Sequence, residues 1–408
     1  MTAERSVHAV PSLSKFLFLQ RTRWVIVALN VVILGVIAAM TAMSRQGFTG
    51  SDGQIYMTAA QRLLHGESVY GFSTSDTGFG FTYPPFAALV FTTFAWFPAA
   101  VPLLQGACVL SVYAVVLLTV RRLGAPSESA LWLALLVAPL ALLWYPVQRS
   151  YGSGQVDLLL AVLIVFDALG ARSRWRGIAI GVAAAIKLTP AGFILLFLVR
   201  KDIPSVLRIM ASAAATTALG WIVAPSDSFV YWTKLLWDTD RVGAQTAALN
   251  QSLAGLISRL AASSTGHLEG LAWIVWLCAC AIVVAFGVRA MRVLDHGRVE
   301  EVGPFALNAL VVLLISPISW LHHWVLAVVP VLFLVARGWL IKGWDLMLLA
   351  AAGVVVLAVP PWWFLGSYLE RGGWSVAETL VGSCAVLWAV AVVFLSARRR
   401  RPSGVEAA

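Results

Sequence analysis

Apolar runs of about 20 residues recur along almost the whole chain with short polar breaks between them. That spacing predicts a polytopic bundle of membrane-crossing helices. The first run, residues 24–42, is too long for the core of a cleavable leader and no small-residue cleavage pattern follows it, so it is expected to remain as a span. A second, 86–120, is interrupted by Pro98 and Pro102, which predicts a broken or re-entrant portion. Runs at 131–145 and 156–169 follow. Between Arg176 and Arg200 the spacing leaves room only for two short half-spans, meeting at Lys187-Leu188-Thr189-Pro190 with Pro190 near the start of the second half. Further spans are expected over 211–224, 271–288, 305–315, 325–336, 345–363 and 377–396. The total is about twelve crossings of an all-α membrane protein.

Polar residues break this pattern in two longer segments, residues 45–85 and 225–266. The first carries Ser51-Asp52-Gly53-Gln54-Ile55-Tyr56. Ser51 and Gln54 have the spacing of a capping box, and Asp52 then falls in the first helical turn, where the helix dipole favours a carboxylate. Tyr56, Ala60, Leu63 and Leu64 continue at i, i+4, i+7 and i+8, predicting a short amphipathic helix along the membrane surface. Asp52 is therefore either a helix-start residue or a catalytic base.

Composition narrows the class. Hydrophobic residues make up 60% of the 408 and charged residues 12%, about half the charge of a soluble domain, and the mean hydropathy is +0.86. The net charge of +10 does not point to nucleic acid, because the bases sit in short clusters between apolar runs, the pattern of cytoplasmic loops. Arg21 and Arg23, Arg121-Arg122, Arg172 to Arg176, Arg289 to Arg298 and the terminal run 398–401 supply those clusters. Both termini are then expected in the cytoplasm, with 45–85 and 225–266 as outer loops. The four cysteines all lie inside predicted spans and read as small apolar residues.

On this topology Asp52, Tyr83, Gln155, Lys187, Asn250, Gln251, Ser252, His322 and His323 gather at the outer face. An acid, a base, amides and imidazoles at one face suit a reaction on lipid-linked substrates. Each has a plainer reading. Residues 152–155 suit a tight turn, Asn250-Gln251-Ser252 a glycosylation sequon or a helix start, and Lys187 could extend to an interface. Adjacent histidines on a helix point apart, so one of His322 and His323 is expected to be functional. With Asp52 as the obvious carboxylate partner, no metal site is expected, and no nucleotide-binding or metalloprotease motif is present. A transporter or lipid flippase is the reading from another class. It should show polar residues at matched depths in two related halves, a symmetry this chain lacks.

Taken in order, Asp52 to Tyr56 with Gly66 and Tyr70, Phe81-Thr82-Tyr83-Pro84-Pro85, Gly154-Gln155-Val156-Asp157, Ile186-Lys187-Leu188-Thr189-Pro190, Asn250-Gln251-Ser252-Leu253 and Ser316-Pro317-Ile318-Ser319-Trp320-Leu321-His322-His323-Trp324 resemble glycosyltransferase family 87. These are integral-membrane enzymes of the GT-C fold that use polyprenyl-phosphate sugars. One departure is Asp157, where many members carry Asn, and it is not read as a second catalytic acid. The resemblance implies a single GT-C domain over 1–408 that transfers mannose from polyprenyl-phosphate mannose to a phosphatidylinositol mannoside or lipomannan acceptor. The linkage formed would be α-1,2, with inversion, on the outer face of the plasma membrane. An arabinofuranosyltransferase of the same fold shares these motifs. The resemblance further implies Asp52 as general base and His322 as a second catalytic group. Lys187, Tyr83, Gln155, Asn250, Gln251, Arg259, Trp320 and His323 are expected at the substrates, with no cofactor; the partners are the lipid-linked donor, a glycolipid acceptor and the bilayer.

Overall fold

The computed structural model of the chain describes residues 19–398, except 44–48, 75–77, 171–173, 239, 262, 264, 295–297, 361–362, 364 and 366–372. Arg172 and the terminal arginines 399–401, used above to orient the chain, lie outside the described residues, as does Arg45 at the start of the first polar segment. Among the described residues the elements are helices and there is no named strand.

By length and composition, five helices can cross a membrane: α1 (Gln20–Ala42), α4 (Ala100–Arg122), α10 (Ile203–Val223), α13 (Leu271–Leu294) and the segment Leu321–Ile341. The last of these is a 3-10 turn, Leu321–Ala327, running into α15 (Val328–Ile341). Two bent pairs raise the number to seven: α5 (Ser127–Leu142) with α6 (Tyr145–Ser153), turned by 81°, and α17 (Val376–Gly382) with α18 (Cys384–Arg398), turned by 70°. Thr189–Val199, Glu301–Ile315 and Trp344–Ala358 are shorter apolar helices. The expected figure of about twelve is therefore not matched by helix length and apolarity. The runs counted in sequence include several that fold as short pieces.

The remaining helices are α2 (Ser51–Leu64), α3 (Pro85–Thr92), α7 (Asp157–Val165), α8 (Ile178–Ile186), α9 (Ile194–Val199), α11 (Pro225–Val230), α12 (Leu253–Leu260), α14 (Arg298–Ile315) and α16 (Trp344–Ala358). Where water is absent, a polar side chain in the apolar bundle needs partners from neighbouring helices, and Asn30 finds them. Asn30 of α1 donates to the Leu135 carbonyl of α5 at 2.7 Å and accepts from the Tyr113 hydroxyl of α4 at 2.6 Å, joining three helices at one side chain.

The break at Lys187 is as the sequence predicts. α8 ends at Ile186, Lys187 is extended (φ −147°, ψ 127°), and a 3-10 turn, Thr189–Phe193, begins with Pro190 in its first positions and leads into α9. The short α8 is held at its other end by Asp167, which accepts from the backbone N–H groups of Gly177 and Ile180 at 2.7 and 2.8 Å. Gly177 and Gly181, four residues apart, let α8 approach α10 closely. A Cβ at Gly181 would lie 2.4 Å from the Ile209 carbonyl oxygen.

The two polar segments are clasped together. Asp227 of α11 accepts from the Ser68 hydroxyl at 2.6 Å and from the Val69 N–H at 2.9 Å. Tyr70 and Tyr231 stack at 5.9 Å, and Arg241 lies over the Tyr70 ring while donating to the Phe81 carbonyl at 2.7 Å. These contacts roof a cavity of about 1090 Å³ whose opposite walls come from α2, α6, the Lys187 break and residues 315–323.

Candidate functional site

Asp52 reaches the cavity because of how α2 starts. Gly50, not Ser51, is the residue before the helix, in the left-handed region (φ 66°), and its N–H donates to the Gly152 carbonyl at 3.0 Å. Ser51 is the first helical residue, and the Gln54 side chain bonds the Thr49 carbonyl, so the expected capping box does not form. A left-handed glycine makes the turn into the helix, and this shifts Ser51 out of the capping position. A capping box does form at Ser375 and Glu378. Asp52 falls in the first turn as expected, half-buried on the cavity wall.

Gly154 completes the approach. It ends α6 in the left-handed region (φ 69°), and a Cβ there would sit 3.4 Å from the Gly53 backbone. The two glycines bring the 150s turn against α2, and Gln155 follows directly. Its backbone is fixed by N–H donation to the Ser150 carbonyl at 2.8 Å and by acceptance from the Cys108 thiol at 3.1 Å. Gln155 Oε1 accepts from the Tyr56 hydroxyl at 2.6 Å and from the Tyr83 hydroxyl at 3.1 Å. With its oxygen so engaged, the amide NH₂ is the group left to favour the Asp52 carboxylate, whose pKa Gln155 lowers.

From Tyr83 the network continues to the helix break. Lys187 Nζ donates to the Tyr83 hydroxyl at 3.4 Å and to Asp157 Oδ1 at 2.6 Å. Lys187 thus stays inside the protein, paired with a carboxylate, and does not extend to an interface. Asp157 Oδ2 is buried without a hydrogen bond and lies 4.0 Å from His322 Nε2. His322 and His323 both line the cavity, their rings edge to face at 4.7 Å. The expectation that one would point away is corrected. They sit at the start of a 3-10 turn that projects into the cavity, so neighbouring positions both reach its wall.

One coordinating atom from each of Asp157, His322 and His323 lies within 4.8 Å of the others, a set of ligand types that can hold a divalent ion. The Lys187 ammonium already supplies Asp157 with a positive partner, which works against a second cation there.

Burial pushes the Asp52 carboxyl above its ordinary range. The Gln155 hydrogen bond, the charge of Arg149 and the charge of Lys187 pull it back down, in that order, while Asp157 adds a smaller upward push. The carboxyl is therefore poised as a proton acceptor stronger than a solvent-exposed aspartate. Burial also raises the Tyr83 hydroxyl, which stays protonated as a hydrogen-bond donor.

Tyr83, Gln155, Lys187, Trp320, His322 and His323 converge with Asp52 on the one cavity. Asn250, Gln251 and Arg259 are not brought to it; all three are fully buried behind its wall. Asn250 accepts from the Ser319 N–H at 2.9 Å and donates to the Gln245 carbonyl at 3.0 Å, and it pairs with Trp320 in an isolated bridge. Gln251 donates its side-chain amide to the Ala248 and Gly382 carbonyls. Ser252 accepts from the Gly255 N–H and starts α12, one of the plainer readings of that motif. Arg259 donates to the Ala247 and Asn250 carbonyls and to the Ser383 hydroxyl, over the Trp374 ring; burial brings its guanidinium down to about 10. These residues brace the loop that carries Trp320 and the histidines. Arg149 lines the cavity as well, a residue the sequence did not single out.

The sequence profile of glycosyltransferase family 87 matches residues 81–317. The chain is 35% identical over 369 residues to a polyprenol-phosphate-mannose-dependent alpha-(1-2)-phosphatidylinositol mannoside mannosyltransferase of Mycobacterium tuberculosis (strain ATCC 25618 / H37Rv), covering 85% of this chain and 84% of that one. It is 34% identical over 370 residues to the protein of the same description from Mycolicibacterium smegmatis, with 84% and 82% covered. A polyprenol-phosphate-mannose-dependent alpha-(1-2)-phosphatidylinositol pentamannoside mannosyltransferase of Mycobacterium tuberculosis (strain CDC 1551 / Oshkosh) is 32% identical over 370 residues, with 86% and 81% covered.

Proposed function

Because this chain belongs to glycosyltransferase family 87, we propose that it transfers mannose from polyprenyl-phosphate mannose to a phosphatidylinositol mannoside on the outer face of the plasma membrane. The linkage formed is α-1,2, with inversion at the anomeric carbon. The observation that carries the reading is the hydrogen-bonded series Gln155, Tyr83, Lys187 and Asp157 along one cavity wall, with the Asp52 carboxyl lining the same cavity as a proton acceptor and cationic and imidazole groups at the other end. That is the division of labour a glycosyl transfer from a phosphate leaving group requires.

In this reading the Asp52 carboxylate accepts the proton of an acceptor hydroxyl as the oxygen attacks the anomeric carbon. The C–O bond to the lipid phosphate breaks on the opposite side of the sugar. The electron pair departs on the phosphate, whose growing charge is met by donors already in place, Lys187 and His322 among them. Gln155 keeps Asp52 ionised and aimed, and Tyr83 ties that amide to Lys187. Trp320, half-buried on the cavity wall, offers an aromatic face to a sugar. The large cavity suits an acceptor that is already a glycolipid.

The test is direct. Purified protein in detergent or nanodiscs is given radiolabelled polyprenyl-phosphate mannose or polyprenyl-phosphate arabinose with phosphatidylinositol mannosides as acceptors. Label from the mannose donor should appear in a product cleaved by an α-1,2-mannosidase. Transfer from the arabinose donor alone, or from neither, would contradict the proposal.

A further inference from the structure

Among the described residues, five charged side chains line the cavity: Asp52, Arg149, Lys187, Asp238 and Arg241. Two of the three cations are already engaged. Lys187 is held by Asp157 at 2.6 Å and by Tyr83, so its charge is neutralised within the protein. Arg241 donates to the Phe81 carbonyl at 2.7 Å and lies over the Tyr70 ring, serving to clasp the two polar segments. Arg149 is different. Half-buried on α6, it has no acid within 4.0 Å and no hydrogen-bond partner among the described residues, yet its charge bears on both Asp52 and His322.

The 81° bend after α5 turns α6 so that Arg149 meets the cavity, while Val147, Ser150 and Tyr151 on the same helix face inward and are buried. A guanidinium facing a walled cavity without a partner is suited to an anion that arrives from outside the protein. Its planar array of N–H donors matches two oxygens of one phosphate.

We propose that Arg149 binds the phosphodiester of a lipid-linked substrate. The inference rests on the glycosyl-transfer reading above and deepens it by naming a cavity-lining cation that no ion pair within 4.0 Å holds among the described residues. With Lys187 held by Asp157, the guanidinium of Arg149 is the cation left to receive an incoming phosphate. The phosphodiester could be that of the polyprenyl-linked donor or that of a phosphoinositol acceptor, and the assay below separates them.

Arg149→Gln and Arg149→Lys are compared with wild type in two measurements. The first is steady-state transfer with each substrate varied at saturating levels of the other, at a pH high enough to keep Asp52 ionised, since losing the Arg149 charge also raises that carboxyl. Arg149→Gln should raise the KM of the phosphate-bearing substrate by roughly tenfold or more, with Arg149→Lys in between. A rise in the donor KM assigns the guanidinium to the donor phosphate, and a rise in the acceptor KM assigns it to the phosphoinositol group. The second measurement needs no turnover: polyprenyl phosphate and phosphatidylinositol are added separately, and the one whose phosphate Arg149 holds should raise the melting temperature of wild type but not of Arg149→Gln. If both KM values and the stabilisation by each lipid are unchanged in Arg149→Gln, the inference is overturned. If wild type transfers no mannose while one of the two lipids still stabilises it through Arg149, the phosphate site stands and the transferase reading falls.

Discussion

At the scale of single residues, Asp52 is a half-buried charge and Lys187 a buried one, and their surroundings give them different work. Asp52 is held by one amide and lies on the cavity wall, with Arg149, Lys187, Asp157, Tyr56 and Tyr83 as its charged and titratable neighbours. Because burial raises its pKa, the acid limb of kcat/KM should fall above the ordinary aspartate range near about 4. Gln155 lowers that pKa, so Gln155→Ala should move the limb to higher pH, with the activity loss largest at low pH and shrinking as pH rises. A limb unmoved in Gln155→Ala would mean that the amide does not hold the base. The stability sign runs opposite to that of a salt-bridged aspartate. A carboxyl whose folded pKa lies above its unfolded value binds more protons when folded, so it loses stabilisation as pH rises from the unfolded pKa through the folded one. Lys187 and Asp157 are instead a pair, and removing one partner strands the other. Asp157→Asn should lower thermal stability by up to about 3–5 kcal/mol, and Asp157→Asn with Lys187→Met should recover part of it. An Asp157→Asn variant as stable as wild type would argue that Lys187 does not depend on its partner.

At the scale of elements, the geometry rests on short pieces joined at special backbone positions. Gly154 allows α6 to end in the left-handed region and lets α2 come close. Gly154→Ala carries a conformational cost of about 1–2 kcal/mol and adds a methyl against Gly53. It should reduce turnover at least tenfold through displacement of Gln155 and Asp52, a change visible as altered kcat with a near-native helical circular dichroism spectrum. Turnover close to wild type would show that the turn tolerates the shift. Much at this scale is legible in sequence. Pro190 after Lys187, between clusters of arginine too close together for a full pair of spans, predicts the break that the structure contains. Gly50 is harder to read, because an S-x-x-Q spacing looks the same whether Ser51 or the glycine before it starts the helix. Polar side chains in a loop likewise carry no mark of where they point. Asn250, Gln251 and Arg259 look like ligand contacts in sequence and are backbone braces in the fold. Arg149, one base among mixed residues at the end of an apolar run, gives no periodic signal at all.

At the scale of the whole molecule, two polar segments clasped by Asp227, Arg241 and stacked tyrosines close over one cavity, and the lipid-facing helices surround it. Families of membrane helices can be read from hydropathy, but the count cannot, since half-length helices and bent pairs carry the same apolar signal as full spans. The proposed orientation gives a labelling pattern. A membrane-impermeant thiol reagent added outside intact cells should modify Gln54→Cys, exposed on α2, and not Arg292→Cys, exposed near the end of α13. The reverse pattern would put the cavity on the cytoplasmic side. The central claim is that Asp52 takes the proton of the attacking hydroxyl, and the most direct measurement is turnover of Asp52→Asn with donor and acceptor both saturating. The amide keeps the shape of the side chain but cannot accept the proton, and it removes a buried carboxylate. Thermal stability should therefore hold or rise, polyprenyl phosphate should still bind, and kcat should fall by about 100-fold or more. A variant that turns over at close to the wild-type rate would contradict the account.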